Sequence, residues 1–247
     1  QSKDDAFWLP ILNIVGSLVA VIWTWHQIKK VLKIKVIFSG MEFVLEKIKE
    51  SGVYFVSTIA TTAFGAATTF ILGFMQVPET QLAYWGISYS LITSTQSVYE
   101  PIINSLYPHM IARKDFSLVR KLLLAIMPAI IIITLIMYYF SRPIIEIICG
   151  IKYVEAAPIF QALLPVLIFS FPAQILGFPV LGVMGEVKAI NKTTVISAVF
   201  HIIGLFIAAL IGQFNLINVA IIRSATEGVL LGTRGIILSC IRRTDKN

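Results

Sequence analysis

The chain has 247 residues, of which 57% are hydrophobic and only 13% charged, with a formal net charge of +7. A soluble domain carries about 25% charged and roughly 45–50% apolar residues. At a mean hydropathy of +0.85 too little polar surface is left to wrap the core, which excludes a soluble globular enzyme and a disordered chain and points to an all-α polytopic membrane protein.

Seven runs approach the roughly 20 apolar residues that a helix needs to cross a bilayer. They cover 6–27, 52–75, 82–106, 121–141, 157–182, 194–212 and 216–239. Unpaired backbone groups cannot face lipid, and the runs lack the short alternation of barrel strands, so they are expected as helices. The chain begins at Gln1 without the pattern of a signal peptide, and is expected to continue a longer polypeptide. Between the first two runs, Met41, Val44, Leu45 and Ile48 alternate with Glu42, Glu46, Lys47 and Lys49 at helical spacing. The stretch 28–51 thus reads as an amphipathic cytoplasmic helix or as a solvated linker.

The second run places Thr58, Thr61, Thr62, Gly65 and Thr69 on one face, where hydroxyls can return to backbone carbonyls. The third carries Tyr89, Thr93, Gln96, Glu100 and Asn104 within about 80° of arc on a straight helix. That stripe is either the wall of a hydrophilic pathway or a hydrogen-bonded seam between helices. In the fifth run Pro158, Pro165, Pro172 and Pro179 recur every seven residues, so kinks or broken turns are expected. His201 in the sixth run fits a proton relay or an interhelical hydrogen bond. In the last run Arg223, Glu227 and Arg234 share a face within about 40°. They form either a cationic lining for an anionic substrate or a local Arg223–Glu227 pair with Arg234 reaching to the membrane surface. Ala225, Gly228, Gly232 and Gly235 lie on another face, which suits close helix packing.

Fifteen of the twenty basic residues fall in the loops 28–51, 107–121, 183–193 and the C-terminal tail, and only Lys3, Arg142 and Lys152 in the alternate loops. The bias places the first set and the C-terminus in the cytoplasm and the start of the chain outside. The basic charge is then a topology signal, and no nucleic-acid partner is expected. Cys149 and Cys240 stand far apart with no Cys/His cluster, so neither a metal site nor a disulfide framework is indicated. No catalytic signature appears: the aspartates Asp4, Asp5, Asp115 and Asp245 lie outside the runs and do not form paired-carboxylate sites. A non-enzymatic membrane protein without a cofactor is expected.

Phe55 to Arg113 carries Gly73 at the end of a run, a short turn, Tyr84-Trp85-Gly86-Ile87-Ser88-Tyr89, the polar run, and Tyr107-Pro108-His109-Met110. A second block holds Ile148-Cys149-Gly150-Ile151-Lys152-Tyr153 and Ala156-Ala157, followed by Gly177, Leu181-Gly182 and Met184-Gly185. Together these resemble the C-terminal half of bacterial polysaccharide-repeat-unit (O-antigen, Wzx-type) flippases. Those flippases belong to the multidrug/oligosaccharidyl-lipid/polysaccharide exporter superfamily. The resemblance implies that 1–27 is the last helix of a first lobe, 28–51 a cytoplasmic linker, and 52–247 the second six-helix lobe. It further implies an inner-membrane exporter of undecaprenyl-diphosphate-linked oligosaccharide, with membrane lipids and other polysaccharide-assembly membrane proteins as partners. A drug or cation antiporter of the same superfamily, and a membrane glycan polymerase, are the alternatives.

Overall fold

The computed structural model describes residues 5–32, 40–62, 65 and 67–244. Among them every regular element is helical and no strand occurs. The chain divides into two units, 1–50 and 51–247. The first contains α1 (Asp5–Leu32) and the opening turns of α2 (Met41–Thr62). Met41 to Ile48 is thus helical and runs without interruption into the second span, while 33–39 of the expected linker lies outside the described residues.

Among the described residues five segments are long and apolar enough to cross a membrane: Ile11–Val31, Phe116–Tyr139, Pro165–Gly182, Val187–Leu210 and Leu216–Ile241. The chain is a multi-pass membrane protein by that measure. The two other expected spans are not among these, and one of them, 82–106, is divided. Residues 52–75 comprise the end of α2 and α3 (Thr68–Phe74), with Ala63, Phe64 and Ala66 outside the described residues. Residues 82–106 form two helices, α4 (Glu79–Ser97) and α5 (Glu100–Arg113). The physical reason is Pro101, which has no N–H for the Ser97 carbonyl. The backbone instead tightens, with Val98 N bonding Thr95 O at 3.2 Å and Tyr99 N bonding Gln96 O at 3.1 Å.

α6 (Phe116–Tyr139) follows after a two-residue turn and begins five residues earlier than its apolar run. The Asp115 carboxylate caps its first turn, accepting from the backbone N–H of Ser117 and Leu118 at 3.0 and 3.1 Å. The Ser117 side-chain hydroxyl is the main cause that holds this carboxyl below its ordinary value of 3.8, with the Leu118 N–H adding to it. α7 (Ser141–Cys149) and a tight turn (Ile151–Ala156) connect α6 to the proline-rich span. That span is interrupted where the sequence indicates: α8 (Ala157–Leu163) and α9 (Pro165–Ile175) meet at Leu164, and Leu176–Gly182 widens into π-type turns around Pro179. Pro172 is accommodated inside α9. α10 (Val187–Leu210) and α11 (Leu216–Thr244) complete the chain through short turns, which make them antiparallel neighbours.

The broken spans form the centre of the second unit. Of the Pro165–Gly182 window 56% is buried, against 6% for α6, so α6 lies on the periphery. Trp85, Ile92, Leu106, Phe160, Leu163 and Phe171 meet in the core. Between membrane helices such a core is held by close packing and hydrogen bonds rather than by escape from water.

Candidate functional site

The polar stripe of α4 and α5 does not act as one unit. Thr93 Oγ1 bonds its own helix at Ser90 O, 3.0 Å away. Tyr89 stacks on Trp85 with ring centroids 5.9 Å apart, and Gly65 makes room for its hydroxyl: a Cβ there would stand 2.6 Å from Tyr89 Oη. Gln96 Nε2 donates to Ser170 Oγ at 2.9 Å, and the Tyr99 hydroxyl also bonds Ser170, tying the α4–α5 break to α9. This part is a seam. Glu100 is exposed at the start of α5, and Asn104, one turn on, reaches a cavity.

That cavity measures about 450 Å³ and opens between α5, the wide-turn segment and α11. Asn104, Tyr107, Gln174, Phe178 and Arg234 give it polar and aromatic walls, and Ile103, Gly177 and Pro179 complete it. The Tyr107 and Phe178 rings meet edge to face, 5.9 Å between centroids. Two residues of the sequence reading, Asn104 and Arg234, thus come together here. Gln174 was not singled out, although it is one of few polar residues in an apolar, proline-broken run. Tyr107 and Gly177 stood only in the motifs of the resemblance.

Arg234 is 7% exposed, so it does not reach out to the membrane surface. Its Nη1 donates to Ala173 O at 2.6 Å, its Nη2 to Thr194 Oγ1 at 3.2 Å, and its Nε points to Thr193 Oγ1 at 3.4 Å. Ala173 lies in the last turn of α9, and its carbonyl also accepts from the Leu176 N–H. The guanidinium supplies a second donor there, and near the other break Ser224 Oγ donates to Ala162 O at 2.6 Å. α11 therefore donates to carbonyls beside both interruptions of the neighbouring span and ties them to itself. Gly177 lets Arg234 in, because a Cβ at that position would stand 3.0 Å from Nη1.

A guanidinium has five N–H groups, and these three contacts leave one on each terminal nitrogen. Among the described residues no carboxylate lies within ion-pair distance of Arg234, whereas Arg223 Nη2 and Glu227 Oε1 pair at 2.7 Å, both residues buried. That pair stands two helical turns away, about 10 Å along the axis from Glu227 to Arg234. It does not line the cavity. Arg234 therefore leaves its wall positively charged in a poorly solvated setting, where a charge is felt far more strongly than in water.

His201 joins three helices: Nε2 lies 2.7 Å from Thr68 Oγ1 and Nδ1 lies 3.0 Å from Thr226 Oγ1. The Thr226 hydroxyl donates to Ile222 O at 2.7 Å, so its oxygen accepts from Nδ1–H. Thr69 returns its hydroxyl to Gly65 O at 3.2 Å, as expected for that face, while the side chains of Thr58, Thr61 and Thr62 lie outside the described residues. The small-residue face of α11 is packed only loosely: a Cβ at Gly228 would meet the Phe169 ring at 3.8 Å, and at Gly232 and Gly235 nothing lies within 4 Å. No group of three or more His, Cys, Asp or Glu residues that could hold a metal occurs among the described residues. Comparison with protein-family models, curated proteins and solved structures finds no match to the chain.

Proposed function

We propose that the chain is the second six-helix lobe, with the helix before it, of a polysaccharide-repeat-unit flippase in the bacterial inner membrane. Its substrate is an undecaprenyl-diphosphate-linked oligosaccharide destined for surface polysaccharide, and its C-terminus lies in the cytoplasm. The observation that carries this reading is the cavity in which Arg234 faces Asn104, Tyr107 and Gln174. An arginine with no carboxylate at ion-pair distance among the described residues favours a diphosphate or acidic sugar, and its planar fork suits phosphate oxygens. The amides and aromatic rings suit the hydroxyls and apolar faces of sugar rings. The lipid tail stays in hydrocarbon while the polar glycan takes a protein-lined path, because hydrocarbon cannot satisfy its hydrogen-bonding groups.

In this proposal Tyr89, Thr93, Gln96 and the Arg223–Glu227 pair shape and brace the pathway, Glu100 lies at its edge, and His201 serves interhelical bonding. A cation antiporter of the same superfamily is disfavoured by the positive wall at Arg234. Depletion of the protein in cells that make surface polysaccharide is the test. Lipid-linked repeat units should accumulate on the cytoplasmic leaflet while surface polymer falls. Normal polymer with unchanged lipid-linked intermediates would overturn the proposal.

A further inference from the structure

α6 ends at Tyr139 and the next span opens at Ala157, so α7 and the tight turn after it stay on one side of the membrane. α7 has three distinct faces at 100° per residue. Ser141 and Ile145 are buried against the helical core, and Gln161 Nε2 fixes this corner by donating to Ser141 Oγ at 2.8 Å and Tyr138 O at 3.1 Å. Arg142 and Glu146 occupy an exposed polar face. Opposite them, Ile144, Ile147 and Ile148 lie within about 100° of arc. Ile147 is 84% exposed, Ile148 62%, and Ile151 just beyond the helix 71%.

α6, which leads into α7, exposes Ile132, Ile133, Leu135, Ile136 and Tyr139 along a helix long and apolar enough to cross the membrane. We propose that α7 is a membrane-interface anchor. It lies along the bilayer surface with Ile147, Ile148 and Ile151 in the acyl region of the leaflet where α6 ends, and with Arg142 and Glu146 among headgroups and water. The occupant of the apolar face is the bilayer itself. The exposed charges of the corner are two cations, Arg142 and Lys152, and two anions, Glu146 and Glu155, so apolar area rather than attraction to anionic lipid holds it. The anchor requires only that α6 cross the membrane and is independent of the transported substrate.

Nitroxide labels on single cysteines test this in the whole chain carrying Cys149→Ser and Cys240→Ser, reconstituted in phosphatidylcholine vesicles. Labels at Ile147→Cys, Ile148→Cys and Ile151→Cys should show a several-fold higher ratio of collisions with oxygen to collisions with a water-soluble nickel chelate than a label at Glu146→Cys. The ratios should be the same in vesicles containing phosphatidylglycerol. Chelate access at 147 and 148 equal to that at 146 would place the face in water. Exclusion of both reagents would mean that protein, such as a second copy, covers it. Insertion that appears only with anionic lipid would overturn the apolar basis. Each of these three results contradicts the proposal.

Discussion

Arg234 and Gly177 approach closely beside the cavity that both line. The guanidinium is pinned between Ala173 O and Thr194 Oγ1, and a methyl at Gly177 would press on Nη1 from 3.0 Å. Gly177→Ala should therefore cost about 1–3 kcal/mol of stability through overpacking. Gly86→Ala, where nothing lies within 4 Å, should be neutral or stabilising by under about 1 kcal/mol. Thermal unfolding in detergent separates the two, and equal behaviour would mean that the guanidinium retreats freely. The Arg223–Glu227 pair predicts another asymmetry. Arg223→Gln should destabilise by roughly 3–5 kcal/mol, since it leaves a buried carboxylate without its cation. The double replacement Arg223→Gln, Glu227→Gln should recover much of that loss in the same melts. The spacing of Arg223, Glu227 and Arg234 already shows that they share a face. It does not show that Glu227 pairs upstream, nor that Arg234 turns to a backbone carbonyl, because those choices depend on where the neighbouring span breaks.

At the scale of elements, the prolines of 157–182 mark the interruptions at Leu164 and around Pro179 directly in the sequence. Pro101 carries the same signal, but an apolar window averages across it, and the stripe from Tyr89 to Asn104 reads as one straight face. The break divides that face, so Gln96 serves the seam with Ser170 while Asn104 reaches the cavity. Ser170 and Gln174 escape periodicity because they are isolated polar residues in an apolar run; only tertiary packing gives them partners. Restoring the N–H with Pro101→Ala should let the Ser97 carbonyl be bonded and straighten the junction. Export is expected to fall as Asn104 moves relative to Arg234, while the melting temperature is unchanged or raised. Full export in that variant would show that the break has no part in shaping the pathway.

For the whole molecule, the distribution of basic residues makes the firmest statement about orientation. Arg113 at the end of α5 and Lys188 at the start of α10 should face the cytoplasm and Lys152 the opposite side. With Cys149 and Cys240 replaced by serine, cysteines at these three positions answer this with a membrane-impermeant thiol reagent on intact cells. Labelling at 152 alone is expected, and labelling at 113 and 188 would reverse the assignment. Within that frame Arg234 sits in the cavity wall on the half of α11 nearer the C-terminus, with two N–H groups beyond those bonded to Ala173, Thr193 and Thr194. Surface polysaccharide made by cells carrying Arg234→Gln, compared with wild type and Arg234→Lys at equal protein level and topology, tests the anionic pathway most directly. Polymer should drop sharply with glutamine and recover in part with lysine, which keeps the charge but not the fork. Normal polymer with glutamine would contradict a cationic pathway and leave Arg234 as a brace for the broken helix alone.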